Sequence, residues 1–153
     1  MHMEEKMYKT QDELQNFNFE EAYIDEIRMN LDTFIMTLEN VKILPENSCN
    51  RDIRLMRTND ITVSFQRAKI KNIVEEGFKR YDADGKLIEE VTDIEIEEEK
   101  YTGLLKSFEG STIYSIEKNK DEYVVLVDAP EHLYDISISA NQDIEEWERF
   151  INV

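Results

Sequence analysis

Side chains able to do chemistry are few in this chain. Cys49 is the single cysteine, and His132 is the only histidine beyond His2. A cysteine nucleophile needs a base within hydrogen-bond reach, and His132 is the candidate base. Cys49 lies in the asparagine-rich stretch Asn47-Ser48-Cys49-Asn50, whose flanks do not resemble the setting of an activated thiol. One cysteine also excludes an intrachain disulfide and a multi-cysteine zinc site. The segment Tyr81-Asp82-Ala83-Asp84-Gly85-Lys86 invites a calcium test. With Gly85 at loop position 6, Asp82 and Asp84 take positions 3 and 5, but Arg80 takes position 1 and Val91 position 12. Both ends then lack the oxygen ligands such a loop requires, so a hairpin turn is the better reading. Carboxylate runs such as Glu89-Glu90, Glu97-Glu98-Glu99 and Glu145-Glu146 read as solvated faces rather than acid–base pairs. No phosphate-cradling glycine loop, nucleophile elbow or His-Glu-x-x-His motif is present. No catalytic, cofactor-binding or metal-ligating set is therefore expected.

Binding surfaces are better represented. Tyr114, Tyr123 and Tyr134 fall on three successive expected strands. Neighbouring strands would align them on one face, either as sheet packing or as a contact surface, where tyrosine is enriched. A second group is basic: Arg54, Arg67, Lys69 and Lys71 belong to residues 51–80, where eight bases meet four acids. Residues 1–50 carry eleven acids and four bases, and residues 81–153 carry twenty and six, so the net charge of −17 surrounds a basic centre. The centre balances acidic neighbours across strands or lines a polar cleft. An acidic chain is a poor match for the counterion release that drives nucleic-acid binding, and equally for an anionic membrane surface. It suits a protein partner with a basic surface.

The 153 residues suit one domain: residues 1–10 form a tag-like or disordered start, and residues 11–153 the folded unit. The longest apolar run, residues 123–127, is far below the roughly 20 residues of a membrane span. Two prolines, four glycines and 41% hydrophobic residues exclude low-complexity and disordered classes. No signal peptide is read at the start, and a cytoplasmic location is expected.

The elements that must position these residues are mostly strands. Residues 23–29 and 34–38 alternate with period two, as do 61–65, 112–117, 122–127 and 132–140. The apolar phase slips by one after Leu38 and again after Phe65, in the similar segments FIMTLENVKI and ITVSFQRAKI. A one-residue slip inverts the faces, so each site needs a bulge or a change of sheet. Asp84-Gly85 marks a tight hairpin. Tyr101, Leu104, Leu105 and Phe108 have helical spacing over residues 97–108. Thr10 and Glu13 read as a capping box opening a helix over residues 11–17. Ile144, Trp147 and Ile151 suggest a last helix over residues 143–151. The fold class is α+β, mostly antiparallel β, as a curled sheet or two layers with two or three short flanking helices.

Residues 22–27 with 34–41, and residues 73–90 with their Tyr-Asp-Ala-Asp-Gly-Lys-Leu-Ile-Glu-Glu stretch, resemble small acidic bacterial proteins, some similar to immunity proteins of polymorphic toxin systems. The resemblance brings across no catalytic residue and implies a binding protein. Together with the large negative charge and the missing catalytic motifs, it gives the leading expectation: a non-enzymatic protein-binding module of the immunity type, directed against a basic toxin domain. Two other readings stand beside it: a small-ligand binder or enzyme with a polar cleft on the sheet, and an acidic mimic of nucleic acid.

Overall fold

The computed structural model describes residues 7–153, so the tag-like His2-Met3 lies outside the described residues. The boundary drawn at residue 10 falls inside a strand, because β1 is Tyr8–Gln11. The other strands are β2 (Phe17–Asn18), β3 (Tyr23–Asn30), β4 (Thr33–Glu39), β5 (Val41–Ile43), β6 (Met56–Thr58), β7 (Ile61–Gln66) and β8 (Lys69–Glu75). They continue as β9 (Phe78–Tyr81), β10 (Leu87–Val91), β11 (Ile94–Glu95), β12 (Thr112–Asn119), β13 (Glu122–Asp128), β14 (Leu133–Ser139), β15 (Gln142–Trp147) and β16 (Ile151–Asn152). All pairings among the described residues are antiparallel. A ten-stranded sheet runs β1-β15-β7-β4-β3-β12-β13-β14-β8-β11, a four-stranded one β16-β6-β5-β2, and β9 pairs with β10 alone.

Both phase slips are resolved by single residues in the left-handed region. Asn40 has φ 62° and Arg67 has φ 50°. At Asn40 the chain leaves β4 in the large sheet and enters β5 in the small one. At Arg67 it leaves β7 on one flank of the large sheet and enters β8 on the other. β4 and β7 lie side by side, with Phe34 opposite Phe65 and their rings stacked at 5.8 Å. The sheet curls over its own face: Phe65 of β7 also stacks on Tyr123 of β13 at 4.2 Å. Such ring pairs add about 0.5–1.5 kcal/mol beyond area burial. Phe34, Met36, Leu38, Val63, Val125, Ile136 and Trp147 are fully buried in the same core.

The helix expectation requires correction. One α-helix, α1 (Tyr101–Ser107), follows a 3-10 turn over Glu98–Lys100, and it buries Leu105. The capping-box helix is absent; only a 3-10 turn, Leu14–Asn16, forms there. Glu13 does not reach back to Thr10. Its carboxylate instead accepts from the Ser48 N–H at 2.9 Å and from the Ser48 hydroxyl. The expected last helix is β15, which alternates buried Asp143, Glu145 and Trp147 with half-buried Ile144 and Glu146. Helical spacing of three apolar residues was outweighed there by a period-two pattern whose inward members include two acids.

The loop over residues 44–54 is ordered by Asn50. Its buried amide donates to the carbonyls of Ile43, Leu44 and Arg54 at 3.1–3.2 Å.

Candidate functional site

The three tyrosines do not form one surface. Tyr123 is fully buried, and its hydroxyl donates to Asp143 Oδ2 at 2.7 Å. Burial, then this bond and the Asp143 charge, push its phenol far above the ordinary range. Tyr134 is half-buried against Phe108, and its hydroxyl donates to Glu75 Oε1 at 2.8 Å. Burial and Glu75 push its phenol up to about 12. Tyr114 is exposed and sits where the β12–β13 register shifts. Register explains the separation: Tyr123 faces Ile138, whereas Tyr134 faces Val127.

The four bases are dispersed as well. Arg54 pairs with Asp52 at 3.0 Å, both on the exposed loop. Lys71 pairs with Glu122 at 3.4 Å across the surface. Arg67 occupies the exposed β7–β8 turn, and Lys69 lines a groove beside α1. Cys49 Sγ lies 3.7 Å from the Lys9 carbonyl, while His132 Nε2 lies 3.8 Å from Glu75 Oε1. Each has its own surroundings, and nothing links them as nucleophile and base.

Two surfaces stand out instead. The first is the arm made by β9 and β10. Its turn follows the Asp-Gly expectation: Gly85 has φ 79°, and Asp82 Oδ1 accepts from the N–H groups of Asp84 and Lys86 at 2.9 Å. Lys79 pairs with Glu90 at 3.8 Å and Arg80 with Glu89 across the two strands. Of the eleven exposed large apolar side chains among the described residues, Phe78, Tyr81, Leu87, Ile88 and Ile94 lie on or beside this arm. The arm has a fixed base. The Gly77 N–H donates to Asp93 Oδ1 at 2.7 Å, and a Cβ on Gly77 would stand 1.9 Å from the Val91 carbonyl oxygen. Only glycine permits that approach.

The second surface is a groove of about 790 Å³ between β3, the start of β8 and the face of α1. Residues 25–29 and 68–70 line one side, and Tyr101, Thr102, Leu105 and Lys106 the other. Beside its Asp25 end, the carboxylates of Asp25, Glu39 and Asp60 gather within 4.8 Å. Partial burial and the Asp60 charge hold the Asp25 carboxyl above its ordinary value.

A buried polar cluster escaped sequence reading entirely. Asp143 and Glu145 project inward from β15 with no exposure. Thr10 donates to Glu145 Oε1 at 2.7 Å, and the Leu14 N–H donates to Asp143 Oδ1 at 3.1 Å. Lys118 Nζ lies 3.7 Å from both Asp143 and Asp12, and 5.5 Å from the Tyr123 ring centre. Burial first, then the adjoining Asp143, push Glu145 up to about 10. No donor reaches Glu145 Oε2 among the described residues. A neutral Glu145 is itself a donor, and Asp143 is the neighbouring acceptor. The cluster lines neither the groove beside α1 nor the smaller cleft at Cys49, so its work is to fasten β1, β13 and β15 together. The signal that could have revealed it was Thr10, Tyr123 and two acids on strands whose inward positions all require partners.

Comparison with known proteins adds no relative: the chain matches no protein-family model, no curated protein and no solved structure.

Proposed function

We propose that this chain is a non-enzymatic protein-binding module of the immunity type, which presents its β9–β10 arm to a partner with a basic surface. One observation carries the reading: apolar side chains are concentrated on a projecting hairpin whose flanking residues are strongly acidic. The hairpin, residues 78–91, holds four acids and three bases, and the flanking residues 75–77 and 92–99 add seven acids and no base. An isolated two-stranded hairpin is marginal in water, and an apolar patch ringed by charge is the usual signature of a contact surface. The acids steer a cationic partner into encounter, and Phe78, Leu87 and Ile88 supply the area that becomes dry on docking. Rigid mounting at Gly77 and Asp93 lowers the ordering cost of association.

Affinity capture from extracts of the source cell tests this, using the wild-type chain and the Phe78→Ser/Ile88→Ser double variant. The expected result is a basic protein retained at low salt, weakened at 0.5 M salt and lost with the double variant, whose melting temperature stays unchanged. Identical proteins retained by both chains, or none at either salt, would refute the arm as the contact surface.

A further inference from the structure

We propose that the groove between β3 and β8 receives an extended segment of another polypeptide as an added strand, with a basic residue of that segment seated beside Asp25, Glu39 and Asp60. The site is separate from the arm, at the opposite end of β8, and the inference does not rest on the arm's role.

The lining itself identifies what the groove offers. Successive side chains of a strand point to opposite faces, yet residues 25–29 all border the groove, as do residues 68–70. Their common feature is the strand edge, with its backbone N–H and C=O groups. Accounting for those groups supports this. On the groove side of β3, backbone bonds join Tyr23 and Ile24 to residues 110–112, and none is found for residues 25–30 among the described residues. On the free side of β8, bonds to residues 94–96 engage Ile73, Val74 and Glu75, and none is found for residues 69–72. The Ala68 N–H donates to the Asp32 carbonyl and closes one end. Five residues of β3 edge extend about 17 Å, long enough to pair a short strand.

Charge chooses among segments. Within the groove, Arg28 is paired with Glu26 and Lys106 with Glu109, and the two other charged residues besides Asp25, namely Lys69 and Glu98, are of opposite sign. Asp25 remains, and it joins Glu39 and Asp60, which lie beyond the groove lining, in the only three-carboxylate cluster among the described residues. A lysine or arginine placed there relieves their mutual repulsion, and an acidic residue there adds to it.

Selection of random heptapeptides on the full chain tests the proposal, with Thr102→Trp as the comparison, since that exposed position on α1 borders the groove. Enriched peptides are expected to carry a basic residue toward one end and to bind Thr102→Trp at least tenfold more weakly. Backbone N-methylation at alternate positions should abolish binding, because it removes the donors that pair with a strand edge. Asp25→Lys should weaken binding at least tenfold, and bound peptide should slow hydrogen exchange at residues 26–29. The Phe78→Ser/Ile88→Ser variant should bind these peptides as the wild type does. No enrichment over Thr102→Trp, a preference for acidic peptides, or binding that survives N-methylation would overturn the proposal.

Discussion

Replacing Glu145 with glutamine should remove a pH dependence built into the core. In the folded chain the Glu145 carboxyl is pushed up to about 10, by burial first and then by Asp143. In the unfolded chain a glutamate carboxyl titrates at about 4. The folded state therefore binds one more proton than the unfolded state across the interval between. Stability then falls as pH rises. The contribution is fully present below the unfolded value and is lost progressively up to the folded one. The slope is about 1.4 kcal/mol per pH unit, so about 2.7 kcal/mol disappears between pH 6 and pH 8. The side-chain amide introduced by Glu145→Gln would still donate to Asp143 and accept from Thr10, but it does not titrate. Urea unfolding followed by fluorescence of the buried Trp147 gives the stability of each chain at each pH. The expected difference, Glu145→Gln minus wild type, grows by about 1.4 kcal/mol per unit from pH 6 to pH 8, which for a domain this size is a relative gain of about 5–10 °C in melting temperature. Parallel curves for the two chains would refute a protonated Glu145 in the core.

Three further outcomes follow from the same geometry. Asn50→Ala leaves three carbonyls without their shared donor, and should cost about 2–3 kcal/mol in urea unfolding, with the loss localised to residues 44–54 by hydrogen exchange. Gly77→Ala forces a methyl against the Val91 carbonyl, so chymotryptic cleavage at Phe78, Tyr81 and Leu87 should rise at least tenfold. The Trp147-reported core should meanwhile move by no more than about 3 °C. Raising NaCl from about 10 to 300 mM should raise the melting temperature, because screening relieves repulsion at a net charge of −17. A flat melting temperature would mean that ion pairs already balance the acids.

Local pattern was enough for much of the fold. Alternation in residues 34–38, 61–65 and 122–127 marked strands because their inward residues are all apolar. Asp84-Gly85 marked the arm's turn because few other residues accept positive φ without strain. The phase slips after Leu38 and Phe65 located the two points where the chain changes flank or sheet. Residues 101–108 read as helix through Leu105 and Phe108, both buried in the structure.

Where recognition depends on residues far apart in sequence, local pattern was silent or misleading. Glu145 read as part of a solvated acidic run on a helix beginning at Asp143, and it is Thr10, Lys118, Tyr123 and the Leu14 N–H that make the burial of the two acids on a strand tolerable. Tyr114, Tyr123 and Tyr134 looked equivalent, and register decided that one is core, one half-buried and one exposed. The groove has no local signature at all, since an unpaired edge is defined by where β12 and β11 stop pairing. Strands, turns and the excess of negative charge were legible from the chain alone, because each arises from a few neighbouring residues. Which acids are buried, which apolar residues stay wet on the arm, and where backbone is left open emerged only from the assembled sheets, because each depends on contacts between strands distant along the chain.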